Sequence, residues 1–297
     1  MFFKIICTIF LFPIAVWAKY ELAIVAIFQN EAGYLKEWIE FHKLQGVEHF
    51  YLYDNCSEDN PKWLLEPYIT AGEVTLIPWN YKYPHGNTKA WNNIQCGAYK
   101  HCMRTYGSQC TWIAALDSDE YLFCTNGEKL PSFLRDYVEF AALGVNWLVF
   151  GTSHVWDVPP DFLMIQVLTC CAETNNPINL HIKSIVQPKY VSFFDLPHCA
   201  RYNKRGKYAV DVSKKYVSGP YTESVQVDKI RINHYWPRTE KFFLEYKIPR
   251  AAKMWTPELS EAYKQDRIKY SIPFNASIDT SIQQFVPELR KNMGLTP

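Results

Sequence analysis

The chain has 297 residues, 48% of them hydrophobic, with 31 Lys and Arg against 30 Asp and Glu. That composition can bury one large core or two modest ones, which excludes a disordered chain. The near-balance of charge excludes partners held by global attraction, nucleic acid or an anionic membrane surface, so a charged ligand must be handled at a local site.

The first residues, MFFKIICTIFLFPIAVWAKY, carry one Lys at position 4, 13 residues of apolar character from Ile5 to Trp17, and Val16 and Ala18 at −3 and −1 of a cleavage point. This is the form of a signal peptide over residues 1–18, with a short retained anchor as the alternative, because a membrane span needs about 20 apolar residues. The expected location is a secretory lumen, the periplasm or the extracellular space, with peripheral or anchored membrane association left open. Cys7 falls in the leader, and eight cysteines follow, at 56, 96, 102, 110, 124, 170, 171 and 199. An exported chain can pair such cysteines, and the absence of any C-x-x-C argues against a structural zinc site.

ELAIVAIF (21–28) is a continuous apolar run, the pattern of a strand buried on both faces. Leu35, Trp38, Ile39 and His42 then stripe a helix that Gly46 stops. EHFYLYD (48–54) is the second strand, NPKWLLEPYI a short helix with Pro61 near its start, and EVTLIPW (73–79) the third strand. Trp91, Ile94, Ala98 and Cys102 mark a helix capped by Asn87 and closed by Gly107. TWIAALDSDEYLF (111–123) is the fourth strand. A helix near 130–142, a strand at 145–151, strands around 162–169 and 181–187, a helix from Thr239 to Lys247 ended by Pro249, and a last helix over 281–293 complete the chain. The alternation predicts an α/β fold with a doubly wound, mostly parallel sheet, helices on both faces and a smaller mixed extension on one side. The expected organisation is 19–124 and 125–255 as two halves of one domain, then 256–297 as a helical extension.

Polar groups end three of the four strands: QNE at 29–31, DNCSED at 54–59 and DSDE at 117–120. In a doubly wound sheet these ends share one crevice. In an extended segment Asp117 and Asp119 face the same side and Ser118 the other. Two carboxylates so placed repel unless a cation or water lies between them, and oxygen ligands of this kind suit Mg²⁺ or Mn²⁺ with phosphate completing the shell. The bland alternative is a solvated turn, since D-x-D arises readily by composition.

NEAGYLKEWIEFHKLQGVEHFYLYDNCSED, QCGAYKHC and WIAALDSDEYLF, followed in order by VNWLVFGTSH, HIKSIVQP and INHYWPRTEKFFLEYKIPRA, resemble glycosyltransferase family 92 and the related family 2-like enzymes of the GT-A fold, over about residues 22–252. The resemblance implies a transferase that uses Mn²⁺ (or Mg²⁺) and a nucleotide-sugar donor, a UDP-sugar by family habit and UDP-galactose among the candidates, with a glycan or other hydroxyl as acceptor. It places Asn30 and Glu31 at the nucleotide end of the first strand, Asp54 on the base, Asp117 by the ribose and metal, and Asp119 on the metal. Glu120 orients those ligands from behind. His234, in NHYW, completes the metal or diphosphate site, Lys247 and Arg250 hold the leaving diphosphate, and Lys183 is a further candidate for the same task. His198 has family precedent without an assigned role. Arg238-Thr239, Glu240-Lys241 and Ala251 stand where the family usually shows Lys-Ser, a pair of acids and Gly.

Inverting transfer needs a general base, for which the carboxylates are the candidates, to accept the acceptor hydroxyl's proton. Asp157, after the strand at 145–151, is the expected base, with Asp161, Glu173 and Asp195 open. Trp79, Trp156 and Trp236 are candidate sugar-stacking faces. Of two N-x-S/T sites, Asn55 falls inside the nucleotide motif and is discounted, while Asn275 lies in a Pro-flanked loop suited to a glycan. The competing functional class is an exported sugar-binding protein that keeps the fold and has lost turnover.

Overall fold

The computed structural model describes residues 18–84, 86–256 and 259–296. Except for Ala18, the expected leader lies outside the described residues. The chain runs β1 (Tyr20–Phe28), α1 (Ala32–Leu44), β2 (His49–Asp54), α2 (Pro61–Thr70), β3 (Val74–Pro78), α3 (Thr88–Tyr106), β4 (Cys110–Ala115) and β5 (Glu120–Cys124). There follow α4 (Leu130–Leu134), β6 (Ala142–Val149), α5 (Met164–Val167), β7 (Cys170–Cys171), β8 (Ile182–Val186), β9 (Val191–Leu196), β10 (Cys199–Tyr202), β11 (Ala209–Val210), β12 (Tyr216–Val217) and β13 (Ile230–His234). The chain ends with α6 (Glu240–Phe242), a π-helical turn over Phe243–Lys247, α7 (Ile248–Trp255), α8 (Glu261–Ser271), β14 (Ser277–Ile278) and α9 (Val286–Met293).

The main sheet has the order β12-β11-β6-β8-β4-β1-β2-β3. β1 pairs parallel with β2 and β4, and β2 with β3, while β8 runs antiparallel to both β4 and β6. The α/β class and the doubly wound arrangement expected from the sequence are therefore present, and one sheet runs through both 19–124 and 125–255. The unbroken apolar run of β1 has a direct cause. Its alternate residues Leu22, Ile24, Ala26 and Phe28 pack against Trp38 and Phe41 of α1, and Ala23, Val25 and Ile27 pack on the other face against Ala98, Tyr99 and Cys102 of α3. With both faces covered from Leu22 to Phe28, none of those positions is polar; Glu21, near the start of the strand, is exposed.

Caps follow local chemistry. The Asn87 side chain accepts the Ala90 N–H at 2.9 Å and starts α3. Gly46 takes φ +91°, and a Cβ there would lie 2.9 Å from the Pro131 ring, so glycine alone turns the chain after α1. Gly107, expected to close α3 in the same way, is right-handed at φ −57° and continues into a 3₁₀ turn.

Four expected elements differ. The fourth strand is two: β4 stays in the main sheet, a turn closed by Glu120 N–H donating to the Asp117 carbonyl (3.1 Å) intervenes, and β5 leaves to pair with β13. Residues 162–169, expected as a strand, contain α5 instead. Its first amides, Met164 and Ile165, donate to the Glu37 carboxylate at 2.8 and 3.1 Å, a cap supplied from α1. The helix near 130–142 is only α4 and a 3₁₀ turn at Arg135–Tyr137, because β6 already begins at Ala142. Pro249 begins a helix rather than ending one: it occupies an initial position of α7, where a backbone N–H is not needed.

β5 is held on both edges. Beyond its pairing with β13, Glu120 C=O accepts the Trp38 indole N–H at 2.7 Å, and Leu122 N–H donates to His42 Nε2 at 3.1 Å. Those bonds fix the C-terminal side of the acid-rich turn to α1. The eight cysteines among the described residues are unpaired. Asn55 is buried and donates to Trp79 and Tyr81 carbonyls. Asn275, the expected glycan site, turns inward: its Oδ1 accepts the Ser153 N–H at 2.8 Å, which a glycan on the amide would have to accommodate. Among the described residues no helix is long and apolar enough to cross a membrane.

Candidate active site

A cavity of about 540 Å³ opens where the C-terminal ends of β1 and β4 meet the ends of β6 and β13. Asp117 and Asp119 both line it, but not by strand alternation, since Ser118 and Asp119 lie in the turn before β5. The turn puts Asp119 opposite the end of β13, where its carbonyl accepts the Tyr235 N–H at 2.9 Å. His234, the last residue of β13, thereby faces it: His234 Nε2 lies 3.5 Å from Asp119 Oδ1.

Each acid has a cation. Lys183 Nζ, wholly buried behind the cavity, lies 2.8 Å from Asp117 Oδ2 and 3.4 Å from Glu120 Oε2. Gln95 Nε2 donates to Asp117 Oδ1 at 2.8 Å. Lys247 Nζ lies 2.5 Å from Asp119 Oδ2. Burial works against the charge of both aspartates, yet Lys183 outweighs it at Asp117, and Lys247 with His234 outweighs it at Asp119. Asp117 is held below the usual carboxylate range and Asp119 well below it. Glu120 goes the other way: burial, with Asp117 and Asp119 adding to it, overcomes Lys183 and pushes its carboxyl well above the usual range. Two carboxylates therefore face two ammonium groups, with Glu120 beneath them, its Oε2 accepting the Asp117 N–H at 2.8 Å.

Glu31 is engaged by two arginines. Arg238 binds its Oε2, and Arg250 donates to its Oε1 at 2.8 Å. Arg238 is fully buried, donates to the Ser118 carbonyl at 3.1 Å and lies 3.9 Å over the Tyr34 ring. It takes φ +56°, a strained value for a residue with a side chain, and it ties β1's end to the turn that carries Asp119. The expected nucleotide ligand Glu31 thus serves first to hold two arginines in place.

Of the residues picked out in the sequence, Glu31, Asp117, Asp119, His234, Lys247, Arg250 and His198 line this cavity; Glu120 and Lys183 lie just behind it. Asp54, Asn30 and Asp157 are not brought there. Asp54 Oδ1 accepts the Ser57 N–H at 2.9 Å, closing its own loop. Asn30, at φ +56°, accepts the Glu58 N–H and lies with Asp157 on a separate recess. Asp157 is exposed and paired with Lys241 at 2.8 Å, which holds its carboxyl below the usual range and away from the acids. It is not placed to be the base at this cavity. The alternatives fare no better: Asp161 and Glu173 are exposed, and Asp195 pairs with Arg201 at 2.7 Å. Among the stacking candidates Trp236 lines the cavity; Trp79 packs against Tyr53 instead, and Trp156 is exposed.

Sequence reasoning missed Gln95, Arg238, Trp147 and His181 as site residues. Gln95 and Arg238 stand inside the motifs QCGAYKHC and INHYWPRT, and the polar character of Gln95 on an otherwise apolar helix stripe is a usable signal. Trp147 and His181 also stand inside motifs, VNWLVFGTSH and HIKSIVQP, but nothing local shows that they meet, because that depends on the pairing of β6 with β8.

Residues 22–263 match the sequence model of Glycosyltransferase family 92. A family 92 protein of Ricinus communis is 30% identical over 231 residues, covering 73% of this chain and 35% of that protein. One of Arabidopsis thaliana is 26% identical over 185 residues, covering 59% of this chain and 30% of its own length. The chain thus spans about a third of the curated relatives it matches. Among solved structures, S. aureus TarS 1-349 aligns with a TM-score of 0.38 at 15% identity, over 82% of this chain and 68% of that one. That likeness is too weak to bear on the site, and the assignment rests on sequence: the chain belongs to glycosyltransferase family 92.

Proposed function

We propose that the chain is a metal-dependent, inverting glycosyltransferase that moves a sugar from a nucleoside diphosphate donor, a UDP-sugar such as UDP-galactose, to a glycan or other hydroxyl acceptor. The observation that carries the reading is the convergence of Asp117, Asp119, His234, Lys247 and Arg250 on one cavity. Family membership supports the reaction class.

Among the described residues no group of three or more His, Cys, Asp and Glu side chains forms a ready metal cage. The chemistry of the donors nevertheless suits Mn²⁺ or Mg²⁺. Asp117 and Asp119 supply carboxylate oxygens, His234 Nε2 faces Asp119 Oδ1, and His234 Nδ1 is buried without a hydrogen-bond partner among the described residues. Asp117, Asp119 and His234 would hold the cation, which would neutralise charge gathering on the departing diphosphate. Lys247 and Arg250, both on the cavity wall, are the cations available to bind phosphate oxygens once nucleotide arrives. Glu120, beneath Asp117, and Lys183 fix the acid loop from behind.

Both aspartates are already paired with lysines, so cation and nucleoside diphosphate are expected to enter together: the nucleotide draws Lys247 to itself and frees Asp119 for the metal. Thermal unfolding with UDP, GDP, Mn²⁺ and their combinations tests this, because a ligand that binds the folded state raises its melting temperature. A second reading, an exported sugar-binding protein without turnover, is favoured by one observation, the lysines already neutralising both aspartates. It predicts sugar binding with no nucleotide release from any donor. The apolar leader supports an exported location, secretory lumen, periplasm or extracellular space, and N-terminal sequencing of the mature protein checks it.

A further inference from the structure

Resting on the transferase reading, the remaining question is what takes the acceptor's proton. Every carboxylate on the cavity wall is engaged among the described residues: Glu31 by two arginines, Asp117 by Lys183, Asp119 by Lys247. The cavity wall also presents two imidazoles, His181 and His198.

Their tautomers are fixed by the backbone. His181 Nδ1 lies 2.9 Å from the Ile178 carbonyl, and His198 Nδ1 lies 2.9 Å from the Ile182 carbonyl. A carbonyl oxygen can only accept, so Nδ1 carries the hydrogen in each ring and Nε2 carries a lone pair. The His181 ring is also locked in orientation. It stacks on the Trp147 indole, centroids 4.9 Å apart and planes 14° apart, and meets the Tyr221 ring at 4.5 Å. The edge of its own backbone pairs with Tyr221 and its carbonyl accepts the Trp147 N–H at 3.0 Å. Trp147 in turn touches the His234 ring at 4.3 Å. The cavity wall therefore reads Asp119, His234, Trp147, His181, with one indole between His234 and the His181 ring, whose Nε2 makes no hydrogen bond among the described residues.

We propose that His181 Nε2 is the general base of the transfer and that Trp147 and Tyr221 form the acceptor-sugar subsite around it. The acceptor O–H gives its proton to Nε2 as an oxygen lone pair forms the bond to the anomeric carbon. The bond from that carbon to the diphosphate oxygen breaks, and its electron pair leaves with the nucleoside diphosphate. The imidazolium formed then loses its proton to solvent through the cavity mouth. Burial lowers the pKa of His181 against the Ile178 carbonyl, which acts to raise it; His234, Tyr221 and His198 are the titratable groups facing it. His198 is the weaker choice: burial and Lys183 push its pKa down to about 3.

The test uses the full chain with UDP-galactose, Mn²⁺ and a panel of mono- and oligosaccharide acceptors, water being the background acceptor, and reads UDP release. His181→Asn is expected to lower kcat by about 10²- to 10⁴-fold, the usual worth of a positioned base, with donor KM within about twofold and stabilisation by UDP and Mn²⁺ retained. His198→Asn should cost less than about tenfold. Retention of more than half of kcat in His181→Asn overturns the proposal. Independently of turnover, ¹⁵N NMR of histidine-labelled wild type should show His181 with the hydrogen on Nδ1; a hydrogen on Nε2 overturns it too. If the wild type neither binds UDP with Mn²⁺ nor releases UDP, the transferase reading itself fails and the proposal with it.

Discussion

Lys247 Nζ lies 2.5 Å from Asp119 Oδ2, joining the π-helical turn before α7 to the acid loop between β4 and β5 across 128 residues of sequence. The contact means that the Asp119 carboxylate is engaged by the same residue expected to bind diphosphate. A π-helical turn at this point is of the kind that recurs at functional sites, because it shifts the side chains that follow it relative to the helix.

Replacing that lysine should separate the two roles. In Lys247→Met, Asp119 has lost its counter-ion, so Mn²⁺ alone should stabilise the variant more than it stabilises the wild type. Affinity for UDP in the presence of Mn²⁺ should fall by about tenfold, the worth of one charge-assisted hydrogen bond. Isothermal titration of each ligand into both proteins checks the pair of outcomes. An unchanged response to Mn²⁺ alone would show that Lys247 does not compete with the cation.

Lys183 is a structural case. It bridges Asp117 and Glu120 from a fully buried position, so Lys183→Met removes a charge-assisted contact, leaves Asp117 on Gln95 alone and should cost about 1.5–3 kcal/mol in urea unfolding. Adding Glu120→Gln to that variant should lose less than the sum of the two single changes, because the groups share one network. Simple additivity would mean the bridge is not coupled.

His42 gives a pH signature away from the site. Its Nδ1 donates to the Trp38 carbonyl at 2.8 Å, its Nε2 accepts from Leu122, and burial pushes its pKa down to about 3 from 6.5. Between those values the unfolded chain binds a proton that the folded chain refuses. Stability should therefore fall as pH drops from 6.5 toward 3, by about 1.4 kcal/mol per pH unit from this group. His42→Gln should flatten the slope by that amount between pH 6.5 and about 5 in urea titrations, while His49 and His198, whose pKa values are also lowered, continue to act in the same direction.

The strands of the first half are legible in the sequence because both faces of β1 are buried, and an apolar run with polar ends fits little besides a doubly covered strand. Asp117 and Asp119 are legible for the same reason: they stand where that kind of run stops. Their geometry is not. The turn at Ser118 and the departure of β5 to β13 depend on Trp38 and His42 satisfying one edge of β5, and such a bond carries no local pattern. The short α5 is hidden in the same way, since its cap is Glu37 of α1. Asp157 follows a strand end in sequence, yet its pairing with the exposed Lys241 decides its position instead. A lone histidine is most often a packed one, so His181 gives no signal by itself; only the carbonyl of Ile178 and the stack on Trp147 give it a direction.

The most direct test is thermal unfolding of wild type and Asp119→Ala with UDP, with Mn²⁺ and with both, alongside circular dichroism to confirm that the variant is folded. The account predicts a clear rise in melting temperature for the wild type only when nucleotide and metal are present together, and none for Asp119→Ala. A wild type that responds to neither combination, or an Asp119→Ala variant that keeps the full rise, would contradict it.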